Sequence, residues 1–167
     1  AFAALPLLRQ ALDNVAHPAI RNRGTTVGSI AHADPAGEMP SVLVLTGGVV
    51  EAVGPRGRRE IAATDFFEGP LETTLAHDEL VEAVRFGRFA PGTRTAFRES
   101  ARRQGDYALA GVAVAVEVVD GQRDVVVAGA HLIGVDPVVV GQLQAVAVPG
   151  QAHEDVDRLV ADRHPAR

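Results

Sequence analysis

Between Gly24 and Ser29 the sequence reads Gly-Thr-Thr-Val-Gly-Ser, so two glycines and three hydroxyl side chains fall within six residues. Backbone N–H groups and hydroxyls that converge where no bulky side chain intervenes suit phosphate or another anion. The surrounding stretch, Ile20 to Pro40, carries arginines at one end and acids at the other, and by composition a structural turn is its default role, with an anion or metal site as the alternatives. It is not the nucleotide-binding GxxxxGK pattern, because no lysine lies near it, nor the GxGxxG dinucleotide fingerprint. His32, Asp34 and Glu38 can be drawn as metal ligands, but a catalytic zinc usually takes three well-placed protein ligands, and no metal is expected. His17, His77, His131, His153 and His164 stand singly, as satisfied or solvated histidines commonly do. A second cluster, Arg98, Arg102 and Arg103 followed by Gly105-Asp106-Tyr107, has guanidinium groups beside the chain's single tyrosine. Such a run is most often a solvated turn, although it could also address an anionic, planar ligand. No GxSxG elbow occurs, and Ser29, Ser41 and Ser100 have no evident histidine partner, so a hydrolase is not expected.

The elements that must position these residues are legible as patterns. Leu5, Leu8 and Leu12, with Ala11 alongside, predict a helix that Pro18 limits. After the glycine-containing loop, Pro40 suits the first turn of a short helix through Ser41–Leu45, and Gly47-Gly48 suits its end. Val49–Val53 and Arg58–Ile61 flank a proline-glycine turn and predict a hairpin. Asp65 lies near a short helical turn that Gly69-Pro70 stops. Asp78–Phe86 is expected as a strand with Leu80, Val84 and Phe86 on one side. The stretch Ala90–Arg94 is the best internal boundary, and beyond it Asp120-Gly121 separates two valine-rich runs expected as a hairpin of central strands. Val156, Leu159, Val160 and Arg163 predict a short amphipathic helix at the end.

Composition narrows the class. With 47% hydrophobic and 22% charged residues, the 167-residue chain is globular and long enough to bury a core. A net charge of −5 gives no electrostatic reason to expect nucleic acid. The absence of cysteine excludes disulfides, a cysteine nucleophile, thiolate zinc sites and protein-ligated iron–sulfur clusters in this chain. The apolar run Ala108–Val119 is too short to span a membrane and is interrupted by Glu117. A soluble, cytoplasmic protein without a signal peptide is expected; the opening on Ala1 leads to the expectation that the true start was processed or truncated.

Three segments, His17–Gly48, Phe66–Phe86 and Ala96–Val116, occur in the order and spacing of the FAD-binding medium subunit of the molybdenum hydroxylases. This is the family of carbon monoxide dehydrogenase and xanthine dehydrogenase, and the chain resembles it from about Val15 to Val118. The resemblance implies that Thr25, Thr26, Val27, Gly28 and Ser29 lie against the FAD pyrophosphate. It further implies that Glu38 contacts the cofactor, that Ala16 precedes the binding loop, and that Val81 is an apolar neighbour of the flavin. Arg98 stands where the family places a cation near the ring system, and Tyr107 resembles an aromatic placed beside the isoalloxazine. Val27 and Ser29 depart from the glycine and asparagine that the family often carries at these positions. The absence of cysteine fits a flavin-only subunit.

The expected fold is α+β. Residues 1–90 are expected to form the second part of an FAD-binding domain, and residues 91–167 the family's C-terminal domain, a small sheet packed against helices and divergent after about Pro137. By resemblance the chain is a flavin-dependent electron-transfer subunit, or a fragment of one. Its partners are then a large molybdenum-binding subunit and a small iron–sulfur subunit in a hetero-oligomer. The family's first glycine-rich loop has no counterpart before Leu5, which motivates a rival expectation: a non-catalytic docking or structural subunit that has lost FAD.

Overall fold

The computed structural model describes the backbone of residues 4–119 and 122–132, and side chains as far as Glu117. The predicted terminal helix and the divergent end after Pro137 lie outside the described residues. The chain begins with α1 (Pro6–Leu12), which has proline in its first turn, followed by a single turn, α2 (Pro18–Arg21). Leu7 and Ala11 are the fully buried residues of α1, while Leu8 and Leu12 are half-buried beside them. The buried stripe is therefore rotated by part of a turn from the one expected, because a helix rotates about 100° per residue.

The glycine-containing segment is helical rather than a loop. Residues Thr26–His32 form α3, with Thr25 as its extended N-cap and Ile30 as its buried anchor. Ala33 ends it in the left-handed region, and the turn Asp34–Gly37 leads into α4 (Glu38–Leu45). The end of α4 is as predicted. Gly47, at φ 59°, donates its N–H to the Val44 carbonyl, and Gly48 donates to the Leu43 carbonyl at 2.9 Å, the paired bonds of a left-handed C-terminal cap. Met39, Val42 and Leu43 of α4 are fully or almost fully buried.

Three sheets follow among the described residues. The first has the order β2-β1-β5, in which β1 (Val49–Gly54) pairs antiparallel with both β2 (Gly57–Ala62) and β5 (Leu80–Arg85). Between β2 and β5 the single turn α5 (Ala63–Phe66) leads into the small pair β3 (Phe67–Gly69) and β4 (Glu72–Thr73). The strand expected over Asp78–Phe86 is present as Leu80–Arg85, and Val84 and Phe86 pack on the core as expected, but Leu80 does not. Ala52 of β1 pairs with Val81, whereas Glu51 pairs with Ala83, so a bulge intervenes. A bulge inserts one residue and resets the alternation of faces. As a result Val81 and Val84 pack on the core, while Leu80 is 72% exposed.

The third sheet has the order β6-β7-β8, from β6 (Arg94–Ser100), β7 (Ala110–Val119) and β8 (Gln122–Leu132), all antiparallel. The expected hairpin is present: Val119 and Gln122 are in register on either side of Asp120-Gly121, and β7 is the central strand. One face of this sheet carries Phe97, Ala113 and Ala115 into the same buried cluster as Leu7, Ala11, Val42, Leu43 and Phe66. Helix α1 packs on β6, and α4 packs on β7 and β8. The boundary at Ala90–Arg94 thus marks the passage between sheets, and the core runs across it. The mixture of segregated helices and antiparallel sheets is the α+β class that the sequence predicts. Among the described residues no helix is long and apolar enough to cross a membrane.

Candidate functional site

The start of α3 is built by Thr25. Its side-chain oxygen accepts a hydrogen bond from the Gly28 N–H at 2.9 Å, and its carbonyl accepts from the Ser29 N–H at 3.0 Å. A Cβ at position 28 would lie 2.9 Å from that same hydroxyl oxygen, so glycine leaves the cap uncrowded. The first four N–H groups of a helix have no partner within it. With the Gly28 and Ser29 N–H groups turned to Thr25, those of Thr26 and Val27 are left to point out of the helix start. Thr25 and Gly28 are exposed, and Thr26, Val27 and Ser29 are half-buried.

Glu38 stands at the first position of α4. The seven residues of α3 at 1.5 Å rise make that helix about 10 Å long, and the turn through Ala33–Gly37 joins it to Glu38. Burial raises its carboxyl above the ordinary value, the bond from its own backbone N–H opposes this, and the charge of Asp34 adds to the rise. Across from it, Glu99 of β6 is pushed up to about 7, first by burial and then by the charge of Glu38. Glu99 lies on the helix-facing side of β6 with Phe97, and its neighbour in register on β7 is Gly111. Strand alternation puts Arg98 on the opposite face, in register with Val112, where its Nη1 donates to the Phe97 carbonyl at 3.3 Å.

The remaining residues come from two turns and one strand. Ala16 has φ 40° and precedes His17, the N-cap of α2. The loop from Ala101 to Leu109 returns beside it: His17 Nε2 lies 3.8 Å from Asp106 Oδ1, and a Cβ on Gly105 would lie 3.1 Å from the Ala16 carbonyl carbon. Tyr107, next in the loop, is 69% exposed. Val81 lies on β5, the strand against which α3 packs. The structure therefore brings Ala16 beside the Tyr107 loop, Glu38 beside Glu99, and α3 beside both α4 and β5. Arg98 shares the strand end with Glu99 but not its face.

Sequence reasoning did not single out Glu99 or the contact between His17 and Asp106. An acid directly after Arg98 and an aspartate beside the only tyrosine were visible signals, but pairing them with Glu38 and His17 required the tertiary contacts. A separate hollow of about 300 Å³ lies by the β1–β2 turn, lined by Arg56, Arg58, Arg59 and Glu79. It offers no free charge, because Arg56 pairs with Asp78, Arg58 with Glu82 and Arg59 with Glu79.

Residues 2–88 match the model of the FAD-binding domain in molybdopterin dehydrogenase, more than half of the chain. The chain belongs to that family. Over 131 residues it is 46% identical to the nicotine 6-hydroxylase medium subunit of Paenarthrobacter nicotinovorans, covering 78% of this chain and 46% of that one. It is 40% identical over 112 residues to the carbon monoxide dehydrogenase medium chain of Hydrogenophaga pseudoflava, covering 67% and 39%. Among solved structures, the carbon monoxide dehydrogenase from Hydrogenophaga pseudoflava which lacks the Mo-pyranopterin moiety of the molybdenum cofactor superposes with a TM-score of 0.72 at 35% identity. That superposition covers 78% of this chain and 48% of the other. The chain thus spans less than half the length of the relatives it matches here. The resemblance carried by its three motifs is borne out as a family membership, and the cofactor of the family is FAD.

The residues present fit that cofactor. The glycine-closed cap of α3 offers outward N–H groups and the hydroxyls of Thr26 and Ser29 to a diphosphate, and the half-buried Glu38 carboxylate is an acceptor for hydroxyl groups. The exposed ring of Tyr107 is a planar surface with no partner ring among the described residues.

Proposed function

We propose that this chain is an FAD-binding electron-transfer subunit, or a fragment of one, of a molybdenum hydroxylase. The observation that carries the reading is the 46% identity to a medium subunit over 131 residues. In this reading Thr25, Thr26, Val27, Gly28 and Ser29 hold the diphosphate. Glu38 accepts hydrogen bonds from the cofactor, Ala16 precedes the binding loop, Val81 is an apolar neighbour of the flavin, Tyr107 covers the ring system, and Arg98 supplies a cation near it.

FAD held by these residues would supply the redox chemistry of a carrier between the iron–sulfur clusters of a small partner subunit and an acceptor. The chain's own residues bind and orient the cofactor and shield it from water. Hydroxylation of substrate belongs to a large molybdenum-binding partner subunit, and the three subunits form a hetero-oligomer in the cytoplasm. Acids outnumber bases by 21 to 16, which supports protein and cofactor partners over nucleic acid.

Titration of FAD into the chain, followed by flavin fluorescence, tests this reading. Quenching at micromolar flavin is expected, together with loss of quenching in Glu38→Ala. Absence of any fluorescence change in a folded sample would reject it.

A further inference from the structure

Tyr107 is a large ring held out in solvent while its neighbour Ala108 is 4% exposed. The nine-residue connection Ala101–Leu109 would not by itself fix a ring in one place, because a flexible loop orders its side chains only at an entropic cost. Two contacts tie this loop down, and both end on His17. Gly105, at φ +86°, runs so close to the imidazole that a Cβ there would lie 2.7 Å from Nδ1 and 2.8 Å from Cε1. Asp106 places Oδ1 3.8 Å from Nε2 of the same ring. Its own N–H donates to the Arg103 carbonyl at 3.1 Å, and the Leu109 N–H donates to the Ser100 carbonyl at 2.7 Å, which closes the neck of the loop.

His17 is in turn fixed by its backbone. Its carbonyl accepts from the Ile20 and Arg21 N–H groups at 2.9 and 3.0 Å, and it follows Ala16 in its left-handed conformation. The His17 and Asp106 side chains are 56% and 42% exposed, and exposed ion pairs add little to stability. Little of the fold's stability therefore rests on the Asp106 contact.

We propose that His17, Gly105 and Asp106 form a latch that joins the α2 turn to the β6–β7 loop and holds Tyr107 where it meets the flavin ring. The three are positioning residues, acting through Tyr107, and the proposal rests on the FAD reading above. The latch governs the flavin end of the cofactor only. ADP, which has the adenine and diphosphate but no flavin, bypasses it.

The chain has one tyrosine and no tryptophan, so intrinsic fluorescence reports Tyr107 alone. The test compares the full chain with Gly105→Ala and Asp106→Ala by Tyr107 fluorescence anisotropy without ligand, and by the affinities for FAD and for ADP. Both substitutions are expected to lower the anisotropy and to weaken FAD by about three- to tenfold, the scale of a lost aromatic contact, while leaving ADP unchanged. Unchanged anisotropy and FAD affinity would overturn the latch. An equal loss for FAD and ADP would also overturn it, since that marks general damage to the fold. If the unaltered chain binds neither ligand, the FAD reading fails, and the anisotropy still decides whether the latch holds Tyr107.

Discussion

At the scale of single residues, Glu99 is the group whose ionisation the fold resists most visibly. It faces Glu38, with Asp34 as the further acid on that side, and Gly111 opposite on β7 brings no charge. A carboxyl raised from 4.5 to about 7 binds a proton more tightly in the folded chain than in the unfolded one. Stability from this group is therefore fully present below the unfolded value and is lost as pH rises from about 4.5 to about 7. Glu99→Gln removes that loss. Urea midpoints measured at about pH 5 and about pH 8 should converge in the variant relative to the parent, with the variant the more stable at the higher pH. Equal pH slopes in the two proteins would show that Glu99 ionises freely. Glu79 works in the other direction: bonds from Arg59 and the Ala76 N–H hold it at about 2, so its contribution is lost only as pH falls below the ordinary carboxylate range.

At the scale of elements, α3 turns on a single cap. Seven residues make too short a helix to persist alone, so it depends on the Thr25 hydroxyl at one end and on Ile30 in the core. Thr25→Ala should cost about 1 kcal/mol of stability, and Thr25→Ser should restore most of it. Chemical denaturation measures both, and an alanine variant as stable as the parent would show that the cap bond is not formed. FAD affinity should follow the same order, because the outward N–H groups of Thr26 and Val27 exist only where the helix starts at that point. Strand β5 illustrates the opposite dependence. Its periodicity alone predicts Leu80 on the buried side, yet one inserted residue opposite Glu51 and Ala52 hands that role to Val81.

At the scale of the whole molecule, the core joins parts that the sequence divides. Phe97 lies beyond the Ala90–Arg94 boundary, is 5% exposed, and belongs to the cluster that contains Leu7 of α1 and Val42 of α4. Phe97→Ala should cost about 3–5 kcal/mol, as large core truncations do. The described elements should unfold together, with coincident transitions by far-ultraviolet circular dichroism and by Tyr107 fluorescence. Two separated transitions would show that the sheets on either side of Ala90 are stable independently. What the sequence determined by itself was local or motif-like: the glycine stop of α4, the β1–β2 and β7–β8 hairpins, and a family resemblance spread over three ordered segments. Each of these is written in neighbouring residues, because turn geometry and capping require particular side chains at fixed offsets. The tertiary structure decided what adjacent residues cannot specify. It set Glu99 against Glu38 and closed Gly105 and Asp106 onto His17. Those outcomes depend on contacts between residues tens of positions apart, whose distances are fixed only when the shared core forms.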